Sequence, residues 1–180
     1  MSILEKMAAA IRPPENDLQR IDARQQAQAA ASPDDWLSLV LAHHRDLEAG
    51  FAAVKSAGNA TARITAQKKL GILLTGHAIA EEGAIYPALA DHGEKLHADA
   101  GYDEQARVKV QMAALEQLDP MSEDYLIRLD QIHRAVAHHM YQEEGSWFLA
   151  LKEKASADVQ AAITFRYKEE YQRYVGSDAP

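Results

Sequence analysis

The chain of 180 residues contains no cysteine, which excludes disulfides, iron–sulfur clusters and thiolate zinc sites. Glycine and proline are scarce, which favours helix. No apolar run approaches the roughly 20 residues that span a membrane. The formal net charge is −8 and no block of lysine or arginine stands out, so we expect neither nucleic acid nor membrane as a partner. The N-terminus makes a poor signal peptide, which favours a cytoplasmic location.

Apolar residues recur throughout with the period of about 3.6 that is typical of α-helices, and no segment alternates as a strand does. The pattern predicts an all-α, up-down-up-down four-helix bundle in residues 32–154, joined by short links. Its first helix is expected to begin at Ser32 as the cap, with Pro33 at the first helical position. The remaining long helices are expected over about 62–90, 99–118 and 122–153.

Two segments lie outside the predicted bundle. Residues 1–31 form an N-terminal arm, in which Ile3 to Ile11 can form a short amphipathic helix that ends before Pro13. Residues 155–180 contain an extra C-terminal helix, over about 157–175, and a tail. Its aromatic stripe predicts packing on the outside of the bundle or a homodimer contact.

A thirteen-residue pattern occurs twice, over 77–89 and 139–151. Both copies read H-x-x-x-E-E-G-x-x-aromatic-x-A-L. Residues four apart lie on one face of a helix, so each copy presents an imidazole and a carboxylate in one direction. A single copy is usually a solvated helix face. Two copies on facing helices, with the candidate ligands on the apolar stripe, instead indicate a metal site that holds two ions.

The helical register selects among the adjacent histidines. Neighbouring residues differ by about 100° around a helix, so only one member of each adjacent pair lies on the core stripe. His44 and His139 continue the apolar stripes, whereas His43 and His138 fall toward the edge. A buried, unpaired imidazole or carboxylate is costly, and a shared metal ion would satisfy the whole set. The predicted ligands are His44, His77, Glu81, His139 and Glu143.

The repeat also predicts a ligand on the third bundle helix. The copies are offset by 62 residues, so His44 should have a counterpart near position 106. Aligning the apolar residues places this counterpart at Gln105, which is a weaker ligand than imidazole. Glu104 is adjacent and can turn inward, so it is the sixth candidate ligand, and the choice between the two stays open.

These motifs resemble the hemerythrin-like family of HHE cation-binding domains. The resemblance covers about residues 35–152 and rests on His44-Arg45, the two H-x-x-x-E-E copies and Glu104-Gln105. It implies a four-helix bundle with a non-haem di-iron centre that binds O2, peroxide or nitric oxide in transport, sensing or stress defence. Gln105 stands where the family usually has a histidine ligand, and Leu149 stands where a second proline usually follows the aromatic residue.

Three functions compete at this point. The leading one is a di-iron protein that binds or senses a small diatomic ligand or peroxide. The second is a di-metal oxidase or peroxide-decomposing enzyme that uses an open coordination position beside Gln105. The third is a partner-binding bundle with a degraded metal site. The nitrogen and oxygen ligands suit iron or manganese.

Overall fold

The computed structural model describes residues 15–176, which are helical throughout apart from short links, with no strand among them. The all-α prediction is therefore confirmed. The helix expected between Ile3 and Ile11 lies outside the described residues. The described helices are α1 (Asp17–Ala30), α2 (Trp36–Ser56), α3 (Ala60–Ala80), α4 (Tyr86–Asp91), α5 (Lys95–Leu115), α6 (Glu123–Gln142), α7 (Phe148–Lys154) and α8 (Ala157–Val175).

Polar side chains cap most of these helices. Asn59, Ser122 and Ser156 each accept a hydrogen bond from a backbone N–H in the first turn of α3, α6 and α8. The expected cap of the first bundle helix is wrong, because α2 begins at Trp36 and its cap is Asp35. The Asp35 carboxylate accepts from the backbone N–H of both Ser38 and Ser32, so Ser32 belongs to the preceding turn.

Both copies of the repeated motif contain a π-helical turn. The first π turn (Glu81–Ile85) joins α3 to α4, and the second (Glu143–Trp147) joins α6 to α7. In a regular α-helix, residues i and i+5 are separated by about 140° around the helix axis. The wider i→i+5 turn returns residue i+5 to the face of the starting glutamate, and such turns are frequent at functional sites.

The C-terminal helix α8 packs on the outside of the bundle, against α3, the first π turn and α2. The approach to α3 is close at Gly76, where a Cβ atom would lie 2.3 Å from Cγ2 of Val175. Helix α1 likewise covers the bundle, with Ala23 and Ala27 buried. The described part of the arm is therefore packed on the domain that it precedes.

Two apolar clusters fill the interior, with a polar layer between them. The first cluster contains Trp36, Leu89 and Phe148, and the second contains Phe51, Leu70 and Leu129. On α2, for example, His44 lies between Leu41 of the first cluster and Leu47 of the second. None of the described helices combines the length and apolar character of a membrane span.

Candidate metal centre

Four buried side chains from α2, α3, the first π turn and the second π turn converge in the polar layer. They are His44, His77, Glu81 and Glu143, and one ligand atom of each lies within 4.8 Å of the others. Both glutamates and His44 are fully buried, and His77 is 4% exposed. Burial of this set without compensation would be costly, since isolated charges in an interior are expensive.

The inward-facing atoms of these four residues lack hydrogen-bond partners among the described residues. They are Nε2 of His44, Nε2 of His77, Oε1 of Glu81 and Oε2 of Glu143. Buried polar atoms are satisfied in most native proteins, so four orphans facing one another require an explanation. A bound cation would satisfy all four together.

Each buried imidazole is oriented through its other ring nitrogen. Nδ1 of His44 lies 2.6 Å from a carboxylate oxygen of Glu144, and Nδ1 of His139 lies 2.8 Å from Glu104. Nδ1 of His77 lies 3.3 Å from the hydroxyl of Tyr167. Metal-binding histidines usually have such a partner, which fixes the ring and leaves Nε2 for the ion.

His139 faces a second position in the same layer. Its Nε2 lies 3.2 Å from Oε1 of Glu143 and 3.1 Å from the hydroxyl of Tyr86. The side-chain amide of Gln105 donates to this hydroxyl at 2.8 Å and to Oε2 of Glu81 at 2.6 Å. The polar layer therefore continues from the His44–His77 side to a His139 side, with the two buried carboxylates between them.

The structure brings together five of the six predicted ligands at the centre. Glu104 instead points its carboxylate at the outward nitrogen of His139, and the buried residue of this pair is Gln105. His138 is exposed and pairs with Glu15, as expected for an edge position. His43 is partly buried and stacks on Tyr171 with ring centroids 3.8 Å apart.

The family model of the hemerythrin HHE cation-binding domain matches residues 37–151. The chain belongs to this family. A protein of Nostoc sp. named DNA nickase is 29% identical over 109 residues, which are 59% of this chain. The match spans 31% of the nickase, so most of that protein has no counterpart in the alignment. No solved structure shows a significant match to the chain.

Protonation differs sharply between the groups of this HHE domain in the absence of metal. Burial raises the pKa of Glu81, and the negative charge of Glu143 raises it further. Burial also disfavours charge on Glu143, but His139 and His44 outweigh it and hold its pKa far below the ordinary range. For His44, burial lowers the pKa, and the adjacent carboxylates of Glu143 and Glu144 overcome this and raise it to about 9.

The other two imidazoles of the layer move in opposite directions. Burial lowers the pKa of His77, and the positive charge of His44 adds to the shift. For His139, burial is outweighed by Glu143 and Glu104, so its pKa is raised. The metal-free domain therefore holds protons on His44 and His139, which a metal ion must displace before it can bind their nitrogens.

Three residues that contact the candidate ligands or their supports were not among those predicted from the sequence. Arg24 of α1 pairs with Glu144 at 2.8 Å, and Tyr167 of α8 reaches both His77 and His43. No local pattern could reveal these contacts, because the partners are far apart in the sequence. Tyr86 was visible as the aromatic position of the first copy, five residues after Glu81, but its inward direction depends on the π turn.

A cavity of about 460 Å³ opens on the centre. It lies among α2, α3, α5 and α6, with His77, Gln105 and His139 on its walls. Most of the remaining lining is apolar and includes Leu74 and Met112. Small molecules therefore have a route to the polar layer beside Gln105.

Proposed function

We propose that this protein is a non-haem iron protein with a di-iron centre that binds or senses O2, peroxide or nitric oxide, in a stress-related role. One observation carries the proposal: four buried ligand atoms of His44, His77, Glu81 and Glu143 face one another without hydrogen-bond partners. Membership of the HHE cation-binding family supports the same reading.

Iron is the metal we propose, and manganese is the alternative. Neutral imidazole nitrogens and carboxylate oxygens suit both metals. The two carboxylates lie between the His44–His77 side and the His139 side, so they would provide oxygen ligands to ions on both sides. When bound, ferrous iron would supply an electron donor and an open coordination position for a small ligand.

The residues of the chain would give small ligands access to the polar layer and would exclude water from it. The cavity beside Gln105 leads O2, peroxide or nitric oxide to the layer, and its apolar lining suits uncharged small molecules. The two apolar clusters above and below the layer limit water around the bound ligand. A low-polarity surrounding strengthens every electrostatic interaction within it.

The test is metal content and spectroscopy of the full chain. The protein is stripped with a chelator and reloaded anaerobically with ferrous iron. It is then exposed separately to O2, peroxide and nitric oxide while absorption is followed. His77→Ala and His139→Ala should each lose most of the iron. His138→Ala is the matched control, because this side chain is exposed beside Glu15 and should retain the iron.

Iron should also stabilise the fold. A ligand that binds only the native state adds about 4 kcal/mol when its concentration is a thousand times Kd. Chelation should therefore lower the melting temperature of the wild-type protein clearly. A wild-type chain that binds no iron, and whose melting curve a chelator leaves unchanged, would favour the partner-binding bundle over the iron protein.

An enzyme is the second candidate, as a di-metal oxidase or a peroxide-decomposing activity. The observation that favours it is the size of the cavity, since about 460 Å³ lies within the range of small-molecule sites and exceeds what a diatomic ligand requires. Steady turnover of peroxide without loss of iron would establish it. The activity named for the Nostoc relative is not carried over, because the match covers 31% of that protein and a net charge of −8 disfavours DNA.

A homodimer through α8 is a further part of the proposal. One face of this helix packs on the bundle, whereas Phe165 and Tyr174 on it are 71% and 47% exposed. Exposed aromatic side chains are enriched at protein interfaces. Sedimentation of the wild-type protein and of Phe165→Ser tests the contact: a dimer that becomes a monomer in the variant supports it, and a monomeric wild type excludes it.

A further inference from the structure

The hydroxyl of Tyr86 lies inside the polar layer, on the His139 side. The Tyr86 ring is fully buried. It packs against Gly101 of α5, where the absence of a side chain leaves space for the ring. A Cβ atom at Gly101 would lie 2.6 Å from Cζ of the Tyr86 ring. The first π turn directs this side chain inward, because its backbone N–H bonds to the carbonyl of Glu81 five residues earlier. A buried tyrosine needs polar partners for its hydroxyl, and this one lies among candidate metal ligands.

Four polar atoms surround the Tyr86 oxygen at nearly equal distances. Oε1 of Glu143 lies at 3.0 Å, Nε2 of His139 at 3.1 Å and Oε2 of Glu81 at 3.2 Å, and the amide of Gln105 lies at 2.8 Å. Nitrogen and oxygen donors bind first-row metals at about 2.1 Å, so neighbouring donors of an octahedral site lie about 3 Å apart. The Tyr86 oxygen thus lies as far from Glu143, His139 and Glu81 as one donor of an octahedral site lies from its neighbours.

The two oxygens of Glu143 are divided between the two sides of the layer. Oε2 lies 3.4 Å from Nε2 of His44 and has no hydrogen-bond partner, whereas Oε1 contacts His139 and Tyr86. Glu81 also contacts both sides, but through one oxygen: Oε2 lies 3.3 Å from Nε2 of His77 and is held by Tyr86 and Gln105, whereas Oε1 has no hydrogen-bond partner. The two carboxylates are thus in contact with candidate ligands on both sides of the layer, His44 and His77 on one side and His139 and Tyr86 on the other.

We propose that the Tyr86 oxygen is a ligand of the second metal ion, together with His139, Glu81 and Glu143, and replaces the imidazole that α5 lacks at Gln105. The inference rests on the proposed function and adds a ligand that the sequence motifs did not assign. On binding, the O–H bond of the phenol is replaced by an oxygen–metal bond, and the proton passes to solvent. Gln105 acts as the hydrogen-bond donor that positions the phenol oxygen and Oε2 of Glu81.

Spectroscopy of the ferric protein tests the assignment directly. A phenolate bound to ferric iron gives a visible charge-transfer band and enhanced tyrosine vibrations in the resonance Raman spectrum. The wild-type protein, loaded with ferrous iron and then oxidised, should show both features with two iron ions per chain. Tyr86→Phe should lose the band and the vibrations, and its iron content should fall from two ions to one.

Tyr102→Phe is the matched control. The Tyr102 ring lies edge-on to Tyr86 with centroids 5.1 Å apart, but its hydroxyl donates to the backbone carbonyl of Glu82 outside the centre. This variant should keep both iron ions and the band. Melting curves of the metal-free proteins check the fold, and the Raman spectrum of the wild type gives a result that needs no variant.

Two outcomes would overturn the assignment. If the wild type binds one iron ion and Tyr86→Phe gains a second, the hydroxyl blocks the position instead of binding there. If the wild type binds iron without phenolate vibrations, Tyr86 is not a ligand, although the proposed iron function stands. Failure of the wild type to bind any iron would instead refute the proposed function itself.

Discussion

The two copies of the repeated motif share a backbone and differ in what surrounds it. Each begins its π turn at the first glutamate of the Glu-Glu pair. The second glutamate of the first copy, Glu82, is 27% exposed and pairs with Lys109. Its counterpart Glu144 is 2% exposed and lies between His44 and Arg24. The same sequence position is thus a surface ion pair in one copy and a buried support for an imidazole in the other.

The aromatic positions differ as well. Tyr86 of the first copy places its hydroxyl among the candidate ligands, whereas Phe148 of the second packs edge-on against Trp36 with ring centroids 5.5 Å apart. The first glutamates of the two copies also diverge, since the pKa of Glu81 is raised and that of Glu143 is lowered. The repeat therefore sets the backbone and the direction of the ligands, and side chains from other helices set their charge.

The largest expected difference concerns the first glutamate of each copy, Glu81 and Glu143, in the metal-free protein. Glu143 is ionised beside two imidazoles, so Glu143→Gln leaves buried positive charge unpaired and should cost about 3–5 kcal/mol. Glu81 already holds its proton, because burial and the charge of Glu143 raise its pKa, so Glu81→Gln should stay within about 1 kcal/mol. Urea unfolding of the chelated variants measures the free energy of unfolding of each. An equal loss of stability in the two variants would contradict the assigned charges.

The pH dependence of the metal-free protein should follow the histidines that are charged in the fold. His44 has an ordinary pKa of 6.5 in the unfolded chain and about 9 in the folded one, so the folded state holds the extra proton between them. The resulting stabilisation, up to about 3 kcal/mol, is fully present below pH 6.5 and is lost as the pH rises through 9. The raised pKa of His139 acts in the same direction.

Metal should reverse this dependence. The ion binds neutral imidazole, so protons compete with it and apparent affinity should increase as the pH rises. The two trends can be compared by measuring the melting temperatures of chelated and iron-loaded protein between about pH 6 and 9.5. This interval contains both pKa values of His44, 6.5 in the unfolded chain and about 9 in the folded one. A chelated protein that becomes more stable toward pH 9 would show that His44 is neutral in the fold.

The second glutamates of the two copies should differ in their effect on metal affinity. Glu144→Gln removes the carboxylate that orients His44 at 2.6 Å, and loss of such a support typically costs 10–100-fold in affinity. Glu82→Gln removes a partly exposed pair with Lys109 and should change affinity little. Competition with a chelator of known affinity gives both values. A comparable loss in the two variants would mean that the copies are equivalent at this position.

The sequence predicted those features that depend on one helix at a time. The apolar period gave the bundle, and the phase of α2 selected His44, which is fully buried, over His43, which is partly exposed. Contacts between distant segments were not predictable, as with Arg24 on Glu144 and Tyr167 on His77. The π turns also escaped detection, because a regular α-helix was assumed through both motifs, and the wider turn alters the phase of every residue beyond it.

The smallest expected effect tests whether Gln105 and Tyr86 occupy one coordination position between them. The amide nitrogen of Gln105 lies 2.8 Å from the Tyr86 oxygen and 2.6 Å from Oε2 of Glu81, so an imidazole at position 105 would reach the same space. In the wild-type background, Gln105→His should therefore change iron content little, because the hydroxyl already fills the position.

In the Tyr86→Phe background the space is free, and Gln105→His should restore the second iron ion without restoring the phenolate band. Imidazole is a stronger donor than a carboxamide, so the restoration should not occur with Gln105→Ala. Iron content and resonance Raman spectra of the double variants measure the result. Glu104→Ala should weaken iron binding through His139, because its carboxylate contacts the outward nitrogen of that imidazole. Recovery of iron when Tyr86→Phe is combined with Gln105→Ala would show that position 105 has no part in coordination. The two halves of the layer would then differ in the number of ligands as well as in their type.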